Sequence, residues 1–179
     1  MSEIEIRPAV SSDIPELMRF DHTVETTSIW QISAMREERQ MDFHFVETKL
    51  PRPLTLQYPK SVEEMADTWT KHSLFLTARM EGKLVGYLIL SIDFNNRTAL
   101  ITDLVVDLAA RNKGIASGLI ISVHNGLRNK GIRKLSIVIP VRNHAAISLV
   151  KKLRMDFSGF IDHYFVNQDA ALFFTSVIR

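Results

Sequence analysis

The chain has 179 residues, a formal net charge of +2, and 46% hydrophobic and 23% charged residues. This length favours one domain with a sizeable core, and so small a charge gives no general electrostatic reason for a nucleic-acid partner. Cysteine is absent, which excludes disulfides, thiolate metal sites and a thiol nucleophile. With no apolar run of about 18 residues and no secretion signal, the sequence predicts a cytoplasmic protein without a membrane span.

The N-terminal region predicts a short strand followed by a short helix. Residues 4–7 alternate apolar and polar side chains, which is typical of a strand. Ser11 or Ser12 then offers an N-cap for the helix. The inner face of that helix is predicted to consist of Leu17, Met18 and Phe20.

The next segment mixes helical and extended signals. Residues 33–39 have a helical composition, whereas residues 41–48 alternate as a strand does. Three prolines between residues 51 and 59 then favour extended or turned backbone. Ser61 and Glu64 form a capping box, which predicts a helix over residues 62–71.

The centre of the chain predicts a covered sheet. Residues 74–78 and 84–90 form a hairpin signal around a turn that contains Gly82. Both faces of the second strand are apolar, which favours a central position in the sheet. Residues 99–106 supply the next strand.

The C-terminal third alternates helices and strands. Apolar residues at every fourth position predict a helix over residues 113–129, closed by Gly131. A strand over residues 135–141 contains Pro140, which indicates a sheet edge or a place where pairing stops. One more helix and two strands, around a turn at residues 167–169, complete a mixed α/β order of elements.

Residues 104–118 form the most informative segment, because a buried strand leads through a basic turn into an amphipathic helix. That order directs backbone N–H groups and the positive end of the helix dipole at one point, which favours phosphate binding. Gly114 permits close backbone approach, and Arg111 and Lys113 add positive charge. The alternative interpretation is a tight strand-to-helix turn with solvated basic residues.

Arg111, Gly114 and Ala116 match the core of the acyl-CoA-binding motif, and this segment resembles that motif in the GNAT superfamily of N-acetyltransferases. Asn143 and the helix after it resemble the second signature of the family. The resemblance implies an α/β fold with one mixed, mostly antiparallel central sheet flanked by helices. It also implies a single GNAT-like domain over residues 1–179, with an acetyl-CoA-binding core at 74–157 and a variable acceptor-side region at 21–72.

The resemblance further implies which residues bind the donor. The backbone of the strand would pair with the pantetheine arm, the N–H groups of the turn would hold the pyrophosphate, and the side chain of Asn143 would reach the cofactor. A helix N-cap is the alternative role for Asn143. The predicted donor-binding residues are Leu104, Val105, Val106, Arg111, Asn112, Lys113, Gly114, Ile115, Ala116, Ser117 and Asn143.

The catalytic part departs from the family pattern. Val150 stands where many members have a proton-donating tyrosine, and Val138 stands where some have a carboxylate. Asp103 is the predicted catalytic base, because a carboxylate in this apolar strand would be partly desolvated beside the donor backbone. An ion pair or a backbone cap is its alternative role. Tyr164 could donate a proton if the final loop covered the site, and surface packing is its alternative role.

The predicted activity is transfer of acetyl from acetyl-CoA, as co-substrate, directly to a primary amine of a small molecule, peptide or protein. A catalytically weakened CoA-binding sensor or interaction module is the alternative. A basic cluster between residues 128 and 154 lacks interleaved aromatic residues, so we expect no nucleic-acid partner. The histidines lack ligand spacing, so we expect no metal. An exposed final strand would offer a pairing edge for a homodimer.

Overall fold

Nine strands and four α-helices are found in residues 3–179, which a computed structural model of the protein describes. The strands are β1 (Ile4–Pro8), β2 (Val24–Arg36), β3 (Met41–Leu56), β4 (Leu74–Met80), β5 (Lys83–Asp93), β6 (Thr98–Val106), β7 (Lys134–Pro140), β8 (Asp156–Ile161) and β9 (Ala171–Val177). The helices are α1 (Ile14–Leu17), α2 (Val62–Thr68), α3 (Ile115–Leu127) and α4 (His144–Lys152).

Seven of the strands form one sheet in the order β1-β4-β5-β6-β7-β9-β8, and β2 and β3 form a separate hairpin. Neighbours in the large sheet are antiparallel except β6 and β7, which are parallel and connected through α3. Parallel strands require such a crossover connection. The predicted fold class, a mixed α/β domain with a mostly antiparallel sheet flanked by helices, is confirmed.

Alternating side chains of the central strands enter two apolar cores on opposite faces of the sheet. Leu88 packs in the larger core with α3 and α4, whereas Tyr87 packs in the smaller core with α1 and α2. The every-fourth pattern of α3 is what buries it, because Leu119 and Val123 both face the larger core. Each fully buried leucine of this kind contributes about 1.5–3 kcal/mol.

A buried carboxylate joins the N-terminal elements to the sheet. Asp13 is 1% exposed, and its two oxygens accept hydrogen bonds from Arg7 at 2.8 Å and from Arg79 at 3.0 Å. The backbone N–H of Val10 also donates to it, at 2.9 Å. Burial opposes its ionisation, but these bonds outweigh burial and lower the pKa of Asp13 to about 2.

Two sequence-based predictions about these elements are wrong. Residues 33–36 belong to strand β2, not to a helix, because they pair with β3 in a register that extends to Arg36 and Met41. Cross-strand pairing therefore overrides the helical composition. The final strand is not exposed either, since β9 lies between β7 and β8, and the edge of the sheet is β8.

The β2–β3 hairpin closes over the second half of the large sheet. The N–H of Trp30 donates to the carbonyl of Val141 at 3.3 Å, and Lys151 of α4 lies 4.8 Å from the centre of the Trp30 ring. Farther along the hairpin, Phe45 packs edge-on against Phe160 of β8, with ring centres 5.3 Å apart. These contacts hold the middle of the hairpin against α4 and the β8 edge of the sheet.

Candidate active site

The large sheet opens between β6 and β7, which run parallel to each other. Strands β6 and β7 pair from Thr98 and Lys134 as far as Ile101 and Ile137, and beyond this point β6 stays with β5 while β7 stays with β9. Thr102 forms a bulge where the two strands separate, since Ile101 and Asp103 pair with consecutive residues of β5. The result is a cleft of about 520 Å³ whose walls are the separated ends of β6 and β7.

One wall of the cleft is main chain. Residues 104–106 pair with β5 on one side only, so their remaining main-chain groups face the cleft, where the carbonyl of Val106 accepts from Arg111 Nε at 3.1 Å. The close approach of β5 depends on Gly86, because a Cβ atom at that position would lie 2.9 Å from the carbonyl oxygen of Val105. The wall therefore offers an unpaired strand edge to an extended ligand.

The end of this wall is a cradle of N–H groups. Asn112 and Gly114 have left-handed backbone with φ values of 61° and 82°, and Gly114 is the N-cap of α3. In the described part of the chain, the N–H groups of residues 112–117 have no acceptor in the protein, and the first returning bond runs from Gly118 to Gly114 at 2.9 Å. This arrangement, with open space above Gly114, fits a phosphate group.

The predicted donor-binding residues meet at the cleft, with one exception. Ten of the eleven line it, whereas Lys113 lies outside and donates to the carbonyl of Ala109 at 3.2 Å. Arg111 lines the cleft, but its guanidinium braces the turn by donating to the carbonyls of Val106 and Asp21, both at 3.1 Å. The amide oxygen of Asn143 caps α4 by accepting from Ala146 N–H at 3.1 Å, so its amide nitrogen is the group left for a ligand.

Asp103 stands at the other end of the cleft, immediately after the bulge. Its side chain is 8% exposed. One carboxylate oxygen accepts a hydrogen bond from the hydroxyl of Tyr58, and the other accepts from Lys60 Nζ at 2.8 Å. Lys60 Nζ also donates to the carbonyl of Thr102 at 2.7 Å. Asp103 is therefore largely buried, as the sequence predicted, and it also forms the ion pair that the sequence left open as its alternative role.

Two further side chains extend this cluster, namely His22, which also lines the cleft, and Tyr87, which is fully buried and does not line it. The ring of His22 lies 5.1 Å from that of Tyr58 and 5.9 Å from that of Tyr87, measured between centres. His22 Nε2 is 3.1 Å from the hydroxyl of Tyr87, and His22 Nδ1 is 2.8 Å from the carbonyl of Phe20. Because a carbonyl can only accept, Nδ1 carries the proton, and a neutral imidazole accepts from Tyr87 at Nε2.

Burial determines the protonation of these groups. Burial, together with the neighbouring Tyr87 and Asp103, raises the pKa of Tyr58 far above its usual range, and burial also raises that of Tyr87. Burial lowers the pKa of His22. Both hydroxyls are therefore protonated at neutral pH, and His22 is a neutral base.

We call residues 104–106 and 112–117, which the sequence predicts to bind the donor, the donor half of the cleft. The name acceptor half is used for the cluster of His22, Tyr58, Lys60, Tyr87 and Asp103. Sequence reasoning identified only Asp103 in the acceptor half. No single motif relates these five residues, because they come from the loop before β2, the loop after β3, and strands β5 and β6.

The two positions that depart from the expected catalytic pattern differ in location. Val150 is fully buried in the larger core and does not line the cleft, whereas Val138 lines it. Helix α4 presents Ser148 and Lys152 to the cleft instead. Tyr164 lies outside the cleft, 44% exposed, and packs edge-on against Phe165.

Within residues 3–179 no three carboxylate or histidine side chains come together as a metal-binding group. Nor does that part of the chain contain a helix that is both long and apolar enough to cross a bilayer.

The sequence model of the acetyltransferase (GNAT) family matches residues 27–155. This range includes the whole donor half and most of the acceptor half. The chain belongs to the GNAT family of acetyltransferases. It is therefore an N-acetyltransferase with the fold of this family, as the strand, turn and second signature predicted. No curated protein sequence matches this GNAT acetyltransferase significantly.

Solved structures share the fold along nearly the whole chain. A nourseothricin acetyltransferase superposes with a TM-score of 0.83 at 19% identity, over 98% of this chain and 99% of its own. A Bacillus anthracis protein named as a streptothricin acetyltransferase, in complex with acetyl coenzyme A, gives 0.74 at 16% identity over 98% and 99%. An N-acetyltransferase from Staphylococcus aureus gives 0.66 at 16% identity over 99% and 100%. The GNAT fold thus binds acetyl-CoA in one of these neighbours.

Proposed function

We propose that this GNAT acetyltransferase transfers acetyl from acetyl-CoA directly to a primary amine of a small molecule or peptide, with Asp103 as the proton acceptor. The observation that carries the proposal is the position of Asp103, between the unpaired donor strand and the base of the β2–β3 hairpin. The absence of cysteine supports direct transfer within a ternary complex. Proximity in such a complex can supply much of the rate acceleration.

The donor half has the groups that acetyl-CoA needs. Residues 104–106 would bind the pantetheine arm through main-chain hydrogen bonds, and the N–H groups of residues 112–117 would bind the pyrophosphate. Asn143 would contribute its amide nitrogen, and Arg111 would keep the turn in place through its two carbonyl contacts. When bound, acetyl-CoA supplies the activated thioester carbonyl.

The acceptor half can take a proton from the incoming amine. An alkylammonium has a pKa near 10.4 and must lose one proton before its nitrogen can attack. Asp103 Oδ2 would receive that proton while Oδ1 keeps its hydrogen bond with the hydroxyl of Tyr58. The partly buried carboxylate is within reach of a ligand in the cleft.

The side chains behind Asp103 hold its carboxylate in place for this step. Tyr58 donates its single hydroxyl hydrogen to Oδ1, and Tyr87 donates its own to His22 Nε2. The proton on Oδ2 would then pass to solvent in the cleft, and the second proton of the attacking nitrogen would go to the departing thiolate. The region 21–72 would thus shape the acceptor side, and residues 74–157 would form the acetyl-CoA-binding core.

Measurement of thiol release from acetyl-CoA, over a panel of amines, tests the proposal. The panel should contain alkylamines, polyamines, and peptides that carry free N-termini or lysines. It should also contain nourseothricin, after which one structural neighbour is named. We expect turnover with at least one amine, and an Asp103→Asn variant should lose about 100-fold in kcat. Asp156→Asn, which changes an exposed carboxylate on β8, is the matched control and should keep wild-type kcat.

Two outcomes would contradict the proposal. If acetyl-CoA binds in a calorimetric titration but no amine is acetylated, the protein is the CoA-binding sensor predicted as the alternative. If turnover occurs and Asp103→Asn keeps both the kcat and the pH profile of the wild type, another group takes the proton.

A further inference from the structure

Asp103 has no free oxygen in this structure, and this bears directly on the acceptor. Oδ1 accepts from Tyr58, and Oδ2 accepts from Lys60 Nζ. If Asp103 is to take a proton from an acceptor amine, Lys60 must first give up its place. The inference that follows therefore rests on the function proposed above.

We infer that the ammonium of Lys60 occupies the acceptor-amine site, which is built from Asp103 Oδ2 and the carbonyl of Thr102. The substrate class is then an unhindered primary alkylammonium that displaces Lys60. Lys60 is itself such a group, since its ammonium ends a chain of four methylenes. In the structure it makes the two contacts that we assign to the substrate, at 2.8 Å and 2.7 Å.

The bulge explains why this site exists. Thr102 has no partner on β5, so its carbonyl is released from the ladder at the point where β6 separates from β7. The released carbonyl and the carboxylate of the next residue accept from the same nitrogen. The site thus combines one charged and one neutral acceptor at the junction of the two halves of the cleft.

The chemistry of the two acceptors selects the ligand. A primary ammonium has three N–H donors and can satisfy both oxygens, whereas a quaternary ammonium has the same charge but no donor. A guanidinium has its donors in a rigid plane, and a single nitrogen of it would have to reach both oxygens. The site therefore favours a primary amine at the end of an unbranched chain.

Lys60 is suited to leave. It lies in the loop between β3 and α2, and its side chain is 36% exposed, whereas that of Asp103 is 8% exposed. The outer groove next to it is lined by Asp21 and Glu63, two carboxylates that could receive the displaced ammonium. Charge is conserved in the exchange, because one ammonium replaces another beside Asp103.

Titration of n-butylammonium chloride, without any acetyl donor, tests the inference by calorimetry and by amide chemical shifts at Thr102 and Asp103. A Lys60→Ala variant should bind n-butylammonium at least about 10-fold more tightly than the wild type, because the internal competitor is gone. Adding Asp103→Asn to this variant should abolish the gain. Tetramethylammonium should show no gain, since it lacks N–H donors.

Lys71→Ala is the matched control, because it removes an exposed lysine outside the cleft and should bind n-butylammonium as the wild type does. Equal affinity of Lys60→Ala and the wild type would overturn the inference, and so would an equal gain for tetramethylammonium. If Lys60→Ala does not fold, the wild type still decides the matter. Saturating n-butylammonium should then shift the Lys60 Nζ resonance, and an unchanged resonance would overturn the inference.

This outcome can be told apart from failure of the proposed function. Acetyl-CoA plays no part in the titration, so a sensor without turnover could still bind n-butylammonium. Conversely, the wild type could acetylate amines while Lys60→Ala shows no gain in affinity for n-butylammonium. That result would leave the proposed activity in place and overturn only the assigned amine site.

Discussion

The two halves of the cleft differ in the groups that they offer to a ligand. The donor half uses main-chain groups of one continuous segment, namely a strand edge and the N–H groups before a helix. The acceptor half uses side chains from five separate positions that the fold brings together. Main-chain recognition needs only the correct backbone shape, whereas side-chain recognition depends on each residue, so mutations should affect the two halves differently.

The largest expected effect lies outside both halves and separates fold stability from function. Asp13→Ala would leave Arg7 and Arg79 without their shared carboxylate in a buried place, and we expect a loss of about 3–5 kcal/mol in the free energy of unfolding. Urea unfolding measures this loss. Affinity for acetyl-CoA, measured at low temperature on the folded fraction, should stay at the wild-type value; a weakened affinity would show that the cleft depends on this corner of the fold.

Within the donor half, a change of backbone preference should have the largest effect. Gly114→Val introduces a branched residue at φ 82° and a side chain into the phosphate cradle, and we expect an affinity for acetyl-CoA about 30-fold lower. Gly82→Val is the matched control, with a similar φ of 76° in the β4–β5 turn. It should lose stability but keep its affinity for acetyl-CoA. Equal affinity losses in both variants would refute the cradle.

Low pH should destabilise the fold through protonation of Asp13. The pKa of Asp13 is about 2 in the folded protein, below its ordinary value of 3.8. The ionised form is therefore the one that stabilises the fold, and its contribution is complete above pH 3.8 and is lost as the pH falls towards 2. We expect a loss on the order of 2 kcal/mol from this group, measured by unfolding at stepwise lower pH. Asp13→Asn should have a lower free energy of unfolding at neutral pH. That free energy should also change less between pH 3.8 and pH 2.

In the acceptor half, loss of the Tyr58 hydroxyl should slow the chemical step without weakening the binding of acetyl-CoA. Tyr58→Phe removes the hydrogen bond that holds Oδ1 of Asp103, so kcat should fall about 10-fold while the affinity for acetyl-CoA is unchanged. Tyr164→Phe, on an exposed tyrosine outside the cleft, is the control. An unchanged kcat for Tyr58→Phe would show that the chemical step does not depend on this hydrogen bond.

The same division explains what the sequence could reveal. The donor half follows from local rules, because a strand, a positive-φ glycine and a helix start are written within fifteen consecutive residues. Asp103 was identifiable as a carboxylate in an apolar strand. Its partners Tyr58 and Lys60 follow a strand that begins at Met41 and ends at Leu56, and only tertiary contacts bring them to Asp103. Their position depends on the hairpin, whose first strand has a misleading helical composition.

The opening of the sheet between β6 and β7 also bears on stability. Only four residue pairs join the two strands, so the backbone ladder is interrupted along its middle. A donor that bonds to residues 104–106 would supply rungs that the protein itself lacks. By thermodynamic linkage, a ligand at 100 times its Kd adds about 2.7 kcal/mol to the folded state. Bound acetyl-CoA should therefore stabilise the sheet itself. Amide exchange should then slow mainly along β6 and β7.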